Sequence, residues 1–473
     1  MNGGERLAFG SGDRYVGPAV AVAPAVPAAD ASPSSFDAEA GRKDLVAYRA
    51  LLAFTFVLFT RPQDPLPFLE PLHLAEMFGM FGIIMLVAGR LSRGVPVLRM
   101  SLEFGAVLGL ALAMLGTAPF SIWPGGAVSV FTELFSKVVV VFALILNTLT
   151  TRERYEKFVN VVVLSCSYVA VRAVIDYAMG INLVEEGRAQ GAGGLFGNPN
   201  DMALNMVAFL PLAMIRALGR VRPLLRFALC IGVPALCAAI IFSKSRGGTL
   251  GLIAMIVVLL YQIRRVRPSV AVLVVAATLA TIPLLPSSFT DRMSSIFNPE
   301  EDVTGSREAR KRLLREGYQA YLENPVFGLG AGNFVNYKPE EREEAWHQTH
   351  NAFLQVATEL GTGGLVVFIV IVGSGYAAGL QTVKALRRAR ARHGRKSREP
   401  AERRALREPL ELYAAAVLAS LTGWVVAAMF ASVAYYWTLY LVLGLAITLR
   451  DIALREAGGP SPSRRVVRRA EAA

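Results

Sequence analysis

The sequence predicts an all-α polytopic membrane protein with about twelve transmembrane helices and one large outward-facing loop containing short helices. Three observations predict it. Of 473 residues, 54% are hydrophobic and only 18% are charged, a balance typical of membrane proteins. Apolar runs of about 17–25 residues, long enough to cross a hydrocarbon core of roughly 30 Å, recur along the chain. They lie near 45–60, 72–91, 101–119, 127–149, 158–179, 201–217, 223–242, 247–263, 268–286, 350–380, 410–432 and 434–450. Finally, basic residues fall in every other connection between these runs.

With the amino terminus inside, the inward loops carry Arg90, Arg93 and Arg99; Arg152, Arg154 and Lys157; Arg216, Arg220, Arg222 and Arg226; then Arg264, Arg265 and Arg267. The loop 381–408 holds eleven Lys or Arg and the tail after Leu449 holds six. This positive-inside pattern predicts that both termini are cytoplasmic. It also accounts for the formal charge of +13 without a nucleic-acid partner. Membrane lipids are the expected surroundings, and the 381–408 loop reads first as a topology determinant, with a lipid- or partner-binding role open to it.

In chain order, residues 1–44 are rich in Ala, Pro, Ser and Gly and read as a disordered cytoplasmic tail. Pro18, Pro24 and Pro27 interrupt a stretch that otherwise mimics a signal peptide, so the first span reads as an uncleaved anchor. Residues 45–286 make about nine spans. After the first of them the outward turn TRPQDPLPFLEP carries Arg61 and Asp64 on a proline-stiffened connector. Ionisable residues then fall inside apolar runs: His73, Glu76, Glu133, Lys137, Arg172 and Asp176. The spacing of Glu133 with Lys137 and of Arg172 with Asp176 allows i,i+4 ion pairs. The common depth of all six residues predicts a polar pocket opening outward.

The loop 180–200 is a glycine-rich outward rim in which Asn200 is placed to cap the next helix. Its glycines do not make a phosphate loop, because no Lys-Ser/Thr follows. The connection SKSRGG, from Ser243 to Gly248, is outward and short. It puts Lys244 and Arg246 at the membrane surface; an arginine at a span end usually reads as a snorkelling anchor, but its place against the positive-inside bias strengthens the case for a specific anionic partner. Cys166, Cys230 and Cys237 lie in apolar runs and read as packing residues.

Residues 287–349 form the large extracytoplasmic loop. A basic helix opens at Ser306, whose hydroxyl can cap it, and Arg307, Arg310 or Lys311, and Leu314 share one face. A glycine-rich turn follows at Gly328–Gly332, and then His350 and Asn351 precede an apolar run. His347 stands one turn before His350 if that stretch is helical, but no third ligand accompanies the pair, so no metal site is read. Residues 350–450 give about three further spans around the basic cytoplasmic loop 381–408, and 451–473 is a cytoplasmic tail.

Three motifs in this order resemble the O-antigen ligase and polymerase superfamily of bacterial envelope glycan enzymes. They are Ser245-Arg246-Gly247-Gly248; Gly305-Ser306-Arg307 leading through Glu323-Asn324-Pro325 to Gly328-Leu329-Gly330-Ala331-Gly332-Asn333-Phe334; and His350-Asn351 with Leu354-Gln355, Glu359-Leu360-Gly361 and Gly364-Leu365. The resemblance implies a bacterial cytoplasmic-membrane enzyme with an outward active site and no cofactor. Its donor would be an undecaprenyl-diphosphate-linked glycan and its acceptor a glycan, lipid or protein hydroxyl. Arg246 and Arg307 would bind the diphosphate and His350 would activate the acceptor. Arg61 resembles an outward basic residue that some members place after the first span. Lys244, Arg310 and Asn351 are further candidates for substrate binding.

The residue types fit that chemistry on their own terms. A departing diphosphate needs charge neutralisation, which the planar guanidinium supplies bidentately without losing its charge. The acceptor hydroxyl must lose a proton, and histidine titrates near neutrality. Within this reading, a ligase attaching glycan to lipid A-core, a polymerase of lipopolysaccharide or exopolysaccharide repeat units and a protein O-glycosylating ligase all stay open. From another class, a secondary transporter or flippase would also carry intramembrane charge, although no inverted repeat or matched pair of broken helices supports it.

Overall fold

The computed structural model describes residues 44–294, 306–342, 347–394 and 401–457, with side chains described throughout except at 277, 281, 284, 306, 307, 392–394 and 401–406. The helices are α1 (Leu45–Thr60), α2 (Leu74–Leu91), α3 (Leu102–Thr117), α4 (Pro124–Thr148), α5 (Arg152–Ala178), α6 (Pro199–Leu218) and α7 (Pro223–Phe242). They continue with α8 (Arg246–Ile263), α9 (Pro268–Thr281), α10 (Ser287–Ser294), α11 (Ser306–Glu323), α12 (Ala352–Gly394), α13 (Ala401–Ala428) and α14 (Trp437–Glu456). Among the described residues, β1 (Leu183–Val184) and β2 (Arg188–Ala189) form a minimal antiparallel hairpin in the loop before α6.

The chain is an all-α polytopic membrane protein; among the described residues, ten helices are long and apolar enough to cross a bilayer. The expected twelve resolve into these ten plus α1 and α9, which are apolar but shorter. Sequence chemistry explains the helix starts. Ser101, Thr151, Asn198 and Ser245 each accept a backbone N–H of the first turn, and proline opens α4, α6, α7 and α9, where its missing N–H costs nothing. Asn198, not Asn200, caps α6. Pro199 with its fixed φ takes the first helical position, which leaves the Asn200 carboxamide available for tertiary contacts.

The bundle is built around α14, whose apolar window is 94% buried, while that of α2 is 17% buried and therefore peripheral. Helices α8 and α13 approach closely enough that a Cβ on Gly251 would lie 2.7 Å from the Gly423 carbonyl oxygen, a small-residue crossing typical of membrane bundles.

Contacts sort the connections into two ends. At one end Arg90 binds Asp44 and Asn147, Arg99 pairs with Asp451 at 2.5 Å and Arg455 donates to the Thr150 carbonyl. There too Arg216 binds Glu156 and Asn160, and Arg267 pairs with Glu408. The opposite end gathers residues 61–73, 118–124, 179–199, 243–246, 285–294, 325–342 and 347–351. Its ties include the Ile122 N–H to the Leu329 carbonyl, Asn333 to the Trp123 carbonyl and Lys244 to the Glu186 carbonyl.

The intramembrane charges pair differently from expectation. Lys137 meets Glu76 on α2 at 2.5 Å, and Glu133 accepts from Ser129 instead. The reason is a π-helical turn at Val130–Phe135, which changes the angular offset between Glu133 and Lys137. Arg172 and Asp176 do approach at 3.9 Å. His73 is exposed at a left-handed turn before α2. Glu76, Glu133 and Arg172 are exposed as well, and the pairs formed are Lys137 with Glu76 and Arg172 with Asp176.

Candidate active site

The scaffold of the site is a broken helix. At Gly361 α12 leaves helical geometry, with φ 68° and ψ −170°, a region essentially restricted to glycine. A break of this kind strands carbonyls that would have been bonded one turn later. The glycine-rich loop satisfies them: Leu329 N–H donates to the Thr358 carbonyl at 2.9 Å and Gly330 N–H to the Glu359 carbonyl at 2.8 Å. In return Thr362 N–H donates to the Pro325 carbonyl. Gly328, Gly330 and Gly332 all have positive φ, and the buried Glu359 carboxylate accepts the Gly332 N–H at 2.8 Å. The loop also leans on the π-turn of α4, since a Cβ on Gly332 would lie 2.7 Å from Val130 Cγ2.

Helix α11 lies across the first turns of α12, with Gly317 packed against Leu354 and Thr349 and its carbonyl accepting from Thr358 Oγ1. Its buried stripe is Leu313, Gly317 and Ala320. Leu314, expected on the apolar face, points outward at 38% exposure. The register is set by what α12 can accommodate, and it leaves Arg310 half-buried on the inner side. Arg307 lies in the first turn of α11; its side chain, and the Gly305 preceding the helix, lie outside the described residues.

Residues 347–349 are not helical, and His350 has a left-handed backbone, φ 51°. Its N–H donates to Ser432 Oγ at 2.9 Å, and Thr349 Oγ1 lies 3.2 Å from the same hydroxyl. Asn351 caps α12, its Oδ1 accepting from Phe353 and Leu354 N–H at 3.0 Å each. Burial, with Arg310 and His347 adding like charge, pushes the His350 imidazole down to about 4. The side chain is therefore neutral at ordinary pH.

Cations gather where α8 begins. Ser245 caps α8 through Gly248 N–H, and Arg246 opens the helix with its Nε directed at the Arg292 carbonyl at 3.4 Å. Lys244, buried and left-handed, donates to the Glu186 carbonyl at 2.7 Å. Arg188 of β2 donates to the Ser243 carbonyl at 3.0 Å and to Asn200 Oδ1 at 2.9 Å, an oxygen it shares with Ser245 Oγ. Arg292 of α10 pairs with Glu186. The cations are close enough to disturb one another: burial and then Arg246 bring Arg188 down to about 10, while burial and then Arg188 lower Lys244.

The turn between α13 and α14 joins the two regions. Phe430 packs on Gly247, where a Cβ would come within 2.7 Å of its own Cβ, and Ser432 holds His350. Two residues of chain span at most about 7 Å, so the α8 start and His350 are tied at neighbouring points of one turn. Arg61 stands at the same end in a left-handed turn. It pairs with Asp64 at 2.8 and 3.0 Å and covers Gly193 and Gly194 of the loop that carries Arg188.

The structure thus brings together Arg246, Lys244, Arg310 and His350 from the sequence-predicted set. It gives the Asn351 side-chain oxygen a capping role and binds the Arg61 guanidinium to Asp64. Sequence reasoning missed Arg188 and Arg292. Arg188 follows Glu185 and Glu186, which reads as local neutralisation; the signal available was an arginine inside a glycine-rich outward loop.

No curated protein matches the chain. A family model described as O-antigen ligase matches residues 231–369. That segment holds the α8 start, α11, the glycine-rich loop, His350 and the Gly361 break. The resemblance of the motifs to the O-antigen ligase and polymerase superfamily therefore stands, and the segment that carries Arg246, Arg310 and His350 matches the O-antigen ligase family.

Proposed function

We propose that the chain is a membrane glycosyltransferase that moves a glycan from an undecaprenyl-diphosphate carrier to an acceptor hydroxyl, in the manner of an O-antigen ligase or a polymerase of surface polysaccharide. The observation that carries this reading is the pairing of two features at one end of the bundle: guanidinium and ammonium groups gathered at the α8 start, and a neutral, half-buried His350 joined to them through the α13–α14 turn. The family match supports membrane glycan ligation; the donor, the acceptor and the outward orientation belong to the proposal.

In this mechanism the prenyl chain stays in the bilayer while Arg246, Arg188, Lys244 and Arg307 hold the diphosphate. The acceptor oxygen gives its proton to the His350 imidazole and attacks the sugar C1. The C1–O bond breaks, and its electron pair leaves on the diphosphate, which the arginines stabilise. A bound diphosphate next to His350 favours the imidazolium, so donor binding raises the basicity of the group that must take the proton. Arg310 sets the resting state of that histidine, Asn351 fixes the start of α12 below it, and Arg61 steadies the loop carrying Arg188. Arginine charge does here what a divalent cation does in metal-dependent transferases.

Cells lacking the protein, or carrying His350→Ala at normal protein levels, should accumulate lipid-linked glycan on the outer side of the membrane. Accumulation on the inner side only would point to a translocation step instead and overturn the reading.

A further inference from the structure

At the end of the bundle opposite the candidate active site, a cleft opens between the end of α8, the lower part of α12 and the start of α13. Arg265, Arg387 and Arg390 line its narrow part, about 50 Å³ over an apolar floor that includes Val266 and Val383; a more open hollow of about 420 Å³ shares Val383 and Arg387 with it and is lined by Leu380, Lys384 and Arg388. Its acidic group, Glu411, is paired with Arg407, so the cleft keeps a positive balance. Arg265 is held in place by Tyr261, whose hydroxyl accepts from Nη2 at 3.1 Å and whose ring lies 5.0 Å below the guanidinium. The side chains of Lys384, Arg387, Arg388 and Arg390 make no hydrogen bond or ion pair among the described residues.

What fills such a cleft is indicated by the face of α12 that leads to it. Val366, Ile369, Val370 and Leu380 are each about half exposed, and Gly373 and Ala377 between them are exposed as well. The spacing makes one stripe along the helix. It continues without a change of face into Lys384, Arg387 and Arg388. An apolar stripe of about 21 Å, long enough for one leaflet, that ends in cations over a cleft has the chemistry of a phospholipid: acyl chain along the stripe, anionic head at the bottom. A soluble phosphate would use the cations but not the stripe, and a topology signal alone requires no cleft.

We propose that this cleft binds the headgroup of an anionic phospholipid in the leaflet at that end, with its acyl chains along α12. The site is independent of glycan transfer and lies away from the residues that would perform it.

The test is titration of the purified full chain in detergent with fluorescent phosphatidylglycerol, against phosphatidylcholine and with glycerol phosphate as competitor. Wild-type protein should favour phosphatidylglycerol at least tenfold, and R387Q/R390Q should weaken it by roughly fivefold per cation removed with unchanged thermal unfolding. High salt should weaken phosphatidylglycerol binding and leave phosphatidylcholine binding alone. This salt arm uses wild-type protein and decides the matter even if the variant does not fold. Equal binding of the two lipids, an unaffected double variant, or salt-independent preference would overturn the proposal. Full displacement by glycerol phosphate at matched concentration would also overturn it, by assigning the cleft to a soluble phosphate.

Discussion

His350 acquires its properties from neighbours distant in sequence. Ser432 fixes its backbone in a left-handed turn, and burial with Arg310 and His347 holds its imidazole at about 4. The competent form of a general base is neutral, so a lowered pKa carries activity to lower pH. The acid limb of kcat/KM, which reports the free enzyme, is expected near pH 4–5 and not near the ordinary imidazole value of about 6.5. A pH profile with purified enzyme checks this, and an acid limb near 6.5 would contradict it. At the cation cluster, Arg246→Lys and Arg188→Lys should each lower kcat/KM by roughly tenfold or more, because a point charge does not reproduce the fork. Arg61→Lys should do less, since that guanidinium already serves Asp64. Initial rates across the three variants at matched protein levels decide between these roles. His350 and Arg246 were legible in the sequence as candidates because the motifs around them resemble the O-antigen ligase and polymerase superfamily. Arg188 was not, because its partners Asn200 and Ser243 reach it only through the fold.

At the scale of elements, the site depends on one break and the loop that fills it. In sequence, Gly361 sits within the apolar run of α12 and the helical period passes through it unbroken; the glycine-rich turn at Gly328–Gly332 was visible, but its docking partner was not. The two halves explain each other only when Thr358 and Glu359 are seen giving their carbonyls to Leu329 and Gly330. Gly361→Ala would force an L-residue into glycine-only backbone and place a Cβ 2.6 Å from the Val326 carbonyl carbon. A loss of about 1–3 kcal/mol is expected, read as a lower unfolding temperature in detergent. Gly363→Ala, two residues on, meets nothing within 4 Å and serves as the control, expected to be neutral or slightly stabilising. Equal behaviour of the two variants would remove the break from the account.

At the scale of the whole molecule, hydropathy gave the order of the helices and the basic loops gave their alternation. The contacts show those loops meeting at one end of the bundle, through pairs such as Arg99 with Asp451 and Arg216 with Glu156. Composition could not predict that Lys137 would reach Glu76 on another helix or that α9 would end at Thr281, short of the expected 286, because helix register and helix ends are set by packing. If the end with His350 faces outward, cysteines at Ser288 and Glu341 should react with an impermeant reagent from outside, and one at Ser397 should not. The reverse pattern would invert the topology and the proposal with it.

Transfer by the purified enzyme in nanodiscs tests the central claim most directly, using an undecaprenyl-diphosphate-linked glycan, an acceptor and a chelator. The account predicts turnover that survives chelation and falls by roughly 10² to 10⁴ in His350→Ala while the donor still binds. Activity that disappears with chelator and returns with Mg²⁺ or Mn²⁺, or a His350→Ala enzyme with normal turnover, would contradict it.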